Sequence, residues 1–431
     1  MARILILGGG FGGFYTALGL EKRLGRGHEL TLAARENYML YTPLLPEAAA
    51  GMLEPRHLVV PLRSALRRTR VAIGEVTAID TARRTVRLEP PGAEPFALAY
   101  DELVFALGSA TRMPRAVPGL AERAIGFKSL AEAIWLRNRV LSHLDMADAA
   151  SDEAERRRLM TVVFVGGGYA GVETAAELFD MARDALRYYP ALDPRGIRIV
   201  VIEAAASILR DLGEDFALRV QRHLVRKGIE IRAGATLAEV REDAVVLTGG
   251  EEIPTRTVVW TAGVVANPLT AQIPAERDAR GRLVTDPQLR VAGVEHVWAL
   301  GDSAAVPDAR TGGAPAPQTA QHALREARAL AANLTAHLDG GATIAFAHGN
   351  LGMLASLGAR DGAGRLLGVP IRGFFAWWVV RTYHLLQLPT LARKARVVID
   401  WTIALFFPRD IAHLGSLGTV RTAHSPAAVR P

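Results

Sequence analysis

The apolar and polar positions of this chain spell one pattern twice. Ile4-Leu5-Ile6-Leu7 run directly into Gly8-Gly9-Gly10-Phe11-Gly12-Gly13, and the stretch that follows puts Ala17, Leu20 and Leu24 on one face at helical spacing. That predicts a strand, a tight turn and a helix, and Leu30-Thr31-Leu32-Ala33 supplies the second strand of a βαβ unit. The pattern returns at Thr161-Val162-Val163-Phe164-Val165, which leads into Gly166-Gly167-Gly168-Tyr169-Ala170-Gly171, a helix through about Met181, and the strand Ile199-Val200-Val201-Ile202 ending at Glu203. A further strand, Val297-Trp298-Ala299-Leu300, ends in Gly301-Asp302.

Between these runs the breakers mark boundaries. Met113-Pro114-Arg115-Ala116-Val117-Pro118-Gly119 suits a crossing between domains, Asp286-Pro287 suits the return, and Asp339-Gly340-Gly341 precedes a shift towards aromatic and basic residues. The expected segments are 1–114 and 284–340, which form one domain, 115–283 inserted between them, and a C-terminal region 341–431.

In that last region the apolar runs are short. Gly373-Phe374-Phe375-Ala376-Trp377-Trp378-Val379-Val380 is broken by Arg381, and Val397-Val398-Ile399 by Asp400, so nothing approaches the ~20 uncharged residues of a membrane span. On a helix from Leu391 to Phe407, Arg393, Arg396 and Asp400 share one arc, Val397, Val398, Trp401 and Leu405 gather opposite, and Lys394 lies at the boundary. This is the pattern of a helix lying in a membrane interface, or of one packed on the neighbouring domain or at a homodimer contact.

Charge changes the picture because of where it lies. The formal net charge is +7, and from residue 346 onward ten basic side chains face three acidic ones, so the whole excess sits in this region. An anionic lipid surface met through residues 366–410 fits that placement. Nucleic acid does not, since no reading module accompanies the charge. No signal-peptide core opens the chain, and the expected location is the cytoplasmic face of the cell membrane, held peripherally.

Composition narrows the chemistry. With 431 residues, 50% of them hydrophobic and 22% charged, the chain is globular and long enough for two or three domains. It has no cysteine, which excludes catalytic thiols, redox disulfides, thiolate zinc sites and iron–sulfur clusters, so redox chemistry here needs a bound organic cofactor. No acid or histidine spacing of the H-E-x-x-H kind occurs, and no metal site is expected. His322 reads as a surface histidine of a helix.

The two glycine runs carry that cofactor chemistry. In Gly8-x-Gly10-x-x-Gly13 and in its second copy at Gly166, Gly168 and Gly171, glycine permits the turn, lets backbone approach a pyrophosphate and allows the helix to close on the strand. The phosphates then meet free amides at a helix N-terminus. Glu203 ends the strand after the second copy, where a carboxylate accepts from the adenosine ribose and repels a 2′-phosphate, so NADH is expected over NADPH. After the first copy that position is Ala34, followed by Arg35 and Glu36, with Glu36 two residues late as a substitute. Asp302 suits flavin ribityl or phosphate oxygens. The fold class is therefore α/β, with two Rossmann-like dinucleotide-binding domains, the first discontinuous, and an amphipathic helical C-terminal region.

Taken together these residues resemble the type II NADH dehydrogenases, single-polypeptide NADH:quinone oxidoreductases among the flavoproteins with two dinucleotide-binding domains. The resemblance runs through Gly8, Gly10, Gly12 and Gly13, Asn37-Tyr38 to Thr42-Pro43-Leu44-Leu45, Ala106-Leu107-Gly108-Ser109, Gly166 to Glu173, Trp260-Thr261-Ala262-Gly263, Gly301-Asp302 and Thr319-Ala320-Gln321. It implies FAD in the first domain, NADH in the second, hydride transfer from nicotinamide to flavin, and a membrane quinone as acceptor. It implies contacts to the cofactors from Arg35, Glu36, Thr42, Pro43, Ala106, Gly108, Ala262, Gly263, Ala320 and Gln321 besides the glycines and acids named above. Glu173 matches the family glutamate near nicotinamide and flavin, and Gln321 the first glutamine of the quinone-site motif. The second glutamine falls at Arg325, and the Pro-Thr usual in the second glycine run is Tyr169-Ala170, with Tyr169 either a lid over the flavin or core. Other readings on the same fold are a soluble NAD(P)H oxidase or carrier-protein reductase, and a nucleotide-binding scaffold without turnover.

Overall fold

The computed structural model describes residues 1–348 and 352–413. The end of the expected C-terminal region, with Arg421 and Arg430, lies outside them.

The first glycine pattern folds as read. Strand β1 (Arg3–Leu7), helix α1 (Phe11–Arg23) and strand β2 (Glu29–Ala34) form the opening βαβ unit. Thr42-Pro43-Leu44 make a short 3₁₀ turn that launches helix α2 (Leu45–Ala49). Strands β3 (Arg70–Ile73) and β4 (Glu102–Phe105) follow. The next domain begins with β5 (Ala124–Ile125) and α3 (Leu130–Ala149), which opens on a capping box between Ser129 and Glu132. Then come β6 (Thr161–Val165), α4 (Tyr169–Ala185), β7 (Arg198–Glu203), α5 (Glu214–Lys227), β8 (Ile229–Ala233) and β9 (Thr257–Trp260). The chain returns in β10 (Val297–Ala299) and α6 (Ala320–Leu338).

Two five-stranded parallel sheets result, in the orders β10-β4-β1-β2-β3 and β5-β9-β6-β7-β8. A strand covered on both faces needs apolar residues at every position rather than alternation. Ile4 to Leu7 and Thr161 to Val165 are buried throughout for that reason. β10 joins the first sheet from beyond the second, so both glycine turns stand at the C-terminal ends of central strands, where open α/β sheets bind ligands.

The C-terminal region is a three-stranded antiparallel sheet, β11 (Gly352–Ser356), β12 (Gly362–Leu366) and β13 (Val369–Arg372), followed by α7 (Gly373–Gln387) and α8 (Leu391–Phe406). Its sheet sits on the second domain, where Lys227 Nζ reaches Asp180 and the Leu357 carbonyl, each at 2.7 Å. Its helices sit on the first, through Tyr15 Oη to the Gln387 carbonyl at 3.0 Å and His57 Nδ1 to Asp400 at 2.6 Å. Both domains are therefore clasped by the same appendage.

The arcs expected on α8 are corrected here. Val397 and Trp401 turn inward and Asp400 turns with them to His57, whereas Val398 faces out with Ile399, Ile403 and Phe406. The helix has two apolar sides, one packed on the first domain and one uncovered. Phe374, Phe375 and Trp378 of α7 add to the uncovered side at 61, 55 and 52% exposure. Among the described residues no helix is long and apolar enough to cross a membrane.

Candidate functional site

The first glycine turn is a cradle by construction. A Cβ on Gly13 would stand 1.9 Å from the Gly8 carbonyl oxygen, so helix α1 closes on the turn only with glycine there. A Cβ on Gly10, by contrast, would meet nothing within 4 Å. Gly10 caps α1 without any side-chain hydrogen bond, and the amides of the first helical turn stay free for an anion. The second turn repeats the design: a Cβ on Gly171 would stand 2.1 Å from the Gly166 carbonyl oxygen, and one on Gly168 would meet nothing. Space and free amides at both turns fit two pyrophosphates.

Glu203 closes the second turn. Its carboxylate accepts from the Gly167 amide at 2.6 Å and the Ala205 amide at 2.8 Å, one per oxygen, which leaves lone pairs on both for a ribose diol. Ala34 is buried at the end of β2, and Arg35 and Glu36 stand exposed beyond it, 3.4 Å apart in an ion pair with each other. Ala262 and Gly263 are exposed beside the second turn, where Thr261 Oγ1 donates to the Val165 and Gly166 carbonyls at 3.0 Å each.

The Gly301-Asp302 end of β10 is brought against the Ala106–Ser109 segment and the start of helix α6. Ser109 Oγ donates to Asp302 at 2.5 Å, the Gly108 amide donates to Ser303 at 2.8 Å, and Gln318 Nε2 donates to the Asp302 carbonyl at 2.8 Å. The Gly301 amide donates at 2.6 Å to Glu326 of α6, a carboxyl that burial pushes up to about 7. So the N-terminus of α6, capped by Thr319 and carrying Ala320 and Gln321, lies over the flavin-motif residues. Gln321 is half-buried, its amide has no partner among the described residues, and its carbonyl accepts from Arg325 at 3.0 Å. His322 is a correction: it is buried, bonded through Nδ1 to Thr319 at 2.7 Å and edge-on to His348, and burial holds its imidazole down at about 4. A helix-face position alone does not say which side is covered.

Sequence reasoning missed Lys128. Its ammonium donates to the Ser109 carbonyl at 2.8 Å and to Ser109 Oγ; burial lowers its pKa, while Asp302 and Glu132 oppose that. The signal was available in composition, since this is one of only four lysines among 51 basic residues.

The larger miss is a buried charge cluster where all three parts of the chain meet. Glu173, on the first turn of α4, accepts from the Ser356 amide at 2.8 Å. Desolvation pushes its carboxyl up to about 8, with Glu177 and Glu47 adding to the effect. One turn on, Glu177 accepts from Ser356 Oγ at 3.1 Å and from Arg409 at 3.2 Å. Glu47 of α2 accepts from Arg381 at 3.2 Å and from Trp401 Nε1 at 2.6 Å, and burial raises its pKa too. The Arg381 guanidinium lies between the Trp377 ring, 4.2 Å from its centroid, and the Trp401 ring at 4.8 Å. Three buried carboxyls thus face two guanidinium groups, with Asp184 reaching Arg409 at 3.6 Å from the rim. Such a cluster approaches neutrality only by holding a proton, and desolvation favours the protonated form of Glu173, pushed up to about 8, and raises Glu47 as well.

Tyr169 packs against the core of the second domain, and its hydroxyl is buried without a partner. Among the described residues no group of acids and histidines has metal-ligand geometry.

Residues 2–327 match the pyridine nucleotide-disulphide oxidoreductase family. The chain is 33% identical over 407 residues to the demethylphylloquinone reductase NdbB of Synechocystis, covering 93% of this chain and 95% of the relative. It is 30% identical over 423 residues to the type II NADH:quinone oxidoreductase Ndh of Mycobacterium tuberculosis, covering 94% and 89%. Among solved structures, NDH2 of Plasmodium falciparum in complex with NADH superposes with a TM-score of 0.88 at 19% identity over 95% of this chain and 99% of that one. The sulfide:quinone oxidoreductase of Aquifex aeolicus superposes at 0.71 and 17% identity, over 94% and 96%.

Proposed function

From the premise that this chain belongs to the pyridine nucleotide-disulphide oxidoreductase family, among the type II NADH:quinone oxidoreductases, we propose how its residues divide the reaction. The protein is an FAD-dependent NADH:quinone oxidoreductase. When bound, FAD would supply the redox chemistry that links NADH to a quinone, and the chain's own residues hold, orient and neutralise the partners. The observation that carries this reading is the pair of glycine cradles in one cysteine-free chain, which leaves no thiol route for the second half-reaction.

In our assignment residues 1–114 and 284–340 hold FAD, and 115–283 hold NADH. Gly8, Gly10, Gly12 and Gly13 cradle the flavin pyrophosphate, while Asp302, Ser109 and Lys128 meet its polar chain. Gly166, Gly168, Gly171 and Glu203 hold NADH, flanked by Ala262 and Gly263. Hydride transfer depends on alignment, so these contacts position rather than exchange protons. Quinone reduction takes up one proton beyond the hydride, and we assign the holding of that proton to Glu173; the upward push of its carboxyl by burial, to about 8, supports this. Gln321 and Arg325 are assigned to the quinone side of α6.

The test is anaerobic. NADH should bleach the bound flavin rapidly, and a short-chain quinone should restore its colour within the enzyme's turnover time. A flavin that NADH reduces but quinone leaves reduced would move the function to a soluble oxidase or carrier reductase, and slow bleaching despite tight NADH binding to a scaffold.

Glu203→Arg should cut kcat/KM for NADH at least tenfold and raise the NADPH/NADH ratio, because it removes a charge-assisted acceptor, worth roughly 1.5–3 kcal/mol, and adds a 2′-phosphate partner. An unmoved ratio would remove Glu203 from the ribose site.

We further propose that the appendage rests on a membrane surface through residues 366–410, with the uncovered side of α7 and α8 in the lipid. The Phe374→Ser/Trp378→Ser/Phe406→Ser variant should bind liposomes at least tenfold more weakly, at roughly 1 kcal/mol or more per lost aromatic insertion, while keeping its activity with a water-soluble quinone. Undiminished binding would leave those side chains to a homodimer contact, read by light scattering. Point changes suit this test better than deletion, since Arg381, Trp401 and Arg409 serve Glu47 and Glu177.

A further inference from the structure

An open groove of about 910 Å³ runs between helix α5 of the NADH domain and the start of the appendage, at β12 and the first turn of α7. It belongs to neither glycine cradle. Its walls are apolar where Phe216, Val220, Leu357 and Ala363 line it.

Its rim is basic. Arg219, Arg222 and Arg226 lie three and four residues apart on α5, so they share one face of the helix, and all three are exposed. Arg372 lines the opposite lip. Several other arginines of this domain are paired with carboxylates: Arg198 with Glu230, Arg232 with Glu251, Arg241 with Glu239 and Arg256 with Glu155. Among the described residues none of Arg219, Arg222, Arg226 and Arg372 is paired with one. The acid that lines the groove, Asp361, is taken by His223. Arg219 and Arg365 also flank the Phe216 ring, 5.8 and 6.0 Å from its centroid, which ties the basic rim directly to the apolar floor.

The groove also opens onto uncovered apolar surface. Val369 on the β12–β13 hairpin is 62% exposed, and Phe374 follows Gly373, a lining residue, at 61%. A free phosphate would use the guanidinium groups and leave the apolar floor idle; a neutral lipid would do the reverse. An anionic amphiphile uses both, since guanidinium groups pair with phosphate oxygens in a bidentate fashion and the floor takes hydrocarbon.

We propose that this groove binds one anionic phospholipid from the membrane on which the appendage rests, with its phosphate at the arginine rim and acyl carbon over Phe216. Because α5 is part of the NADH domain and α7 part of the appendage, the lipid bridges the two. This proposal rests on the membrane reading given above.

The test uses the full chain with FAD bound and a soluble short-chain lipid, dihexanoyl phosphatidylglycerol, below its micelle concentration, followed by calorimetry. One molecule per chain should bind, at least tenfold tighter than dihexanoyl phosphatidylcholine. The exposed Arg219→Gln/Arg222→Gln/Arg226→Gln variant should lose that preference. The Phe374→Ser/Trp378→Ser/Phe406→Ser variant should keep it while docking poorly on liposomes, so a failure of membrane docking and a failure of the groove give different results. Equal binding of the two lipids, phosphatidylglycerol binding unchanged in the arginine variant, or full competition by glycerol 3-phosphate would each overturn the proposal. So would an arginine variant that changes only the oligomeric state, which would make the groove a contact between copies of this chain.

Discussion

Gly10→Ala should fold normally and purify nearly free of flavin, whereas Gly13→Ala should fail earlier, at the level of the first domain itself. The difference follows from what each Cβ would meet. Gly10 has φ −78° and ψ −164°, extended backbone open to any residue, and a Cβ there meets nothing within 4 Å. Nothing in the protein objects to alanine at this position, so only a ligand filling that space would. Gly13 is opposed by backbone: its Cβ would stand 1.9 Å from the Gly8 carbonyl oxygen and 3.0 Å from its carbon, and neither can rotate away. Gly10→Ala should therefore keep its melting temperature as apoprotein, lose at least nine-tenths of its 450-nm absorbance per chain (roughly tenfold weaker binding or worse costs ~1.4 kcal/mol or more) and lose NADH oxidation in step. Gly13→Ala should lower the yield of soluble protein and the melting temperature of whatever folds. A Gly10→Ala protein with full flavin content would remove the first turn from the pyrophosphate site.

The parts of this molecule that could be read from sequence share a cause. Both glycine turns, the strands before them and Glu203 follow from local rules, because a buried parallel strand must be apolar at each position and a phosphate turn must lack side chains. Gly301 and Asp302 were legible because the strand that carries them announces itself. The misses come from long-range packing. Glu47 looks like an ordinary first-turn acid of a short helix, and Arg381 like an interruption in an apolar run; only the tertiary fold, which brings residue 47 to 381 and 177 to 409, makes them partners. His322 was misread for the same reason, since the cover over that helix face comes from His348. The two-sided α8 shows the limit of an amphipathic pattern: it separates charged from apolar arcs but cannot say which apolar residues meet protein.

Arg381→Met should be among the most damaging single changes in the chain. It strips Glu47 of its guanidinium partner while the Trp401 indole still donates to the carboxylate, and an uncompensated buried charge of this kind costs about 3–5 kcal/mol. The expected loss is read by thermal unfolding of the holoprotein, and most of it should return in the Glu47→Gln/Arg381→Met double variant, where neither charge remains. Equal destabilisation in single and double variants would show that Arg381 acts by packing between Trp377 and Trp401 instead. The same cluster fixes a pH dependence. Glu173 titrates near 4.5 when unfolded and at about 8 when folded, so the native state binds the extra proton between those values. Stability from this group is therefore complete below pH 4.5 and is lost as pH rises towards 8, at up to ~1.4 kcal/mol per pH unit. Glu326, raised to about 7, contributes in the same direction over a narrower window. Glu173→Gln should make the change of melting temperature with pH less negative between pH 6.5 and 8, above the range in which the buried imidazoles of His143, His322 and His384, held down at about 4, act in the opposite direction. The variant should also slow quinone-dependent reoxidation of the flavin more than its reduction by NADH, because the missing group is the one assigned to hold the proton that quinol formation requires. A slope as steep as that of the parent protein would place the proton elsewhere in the cluster.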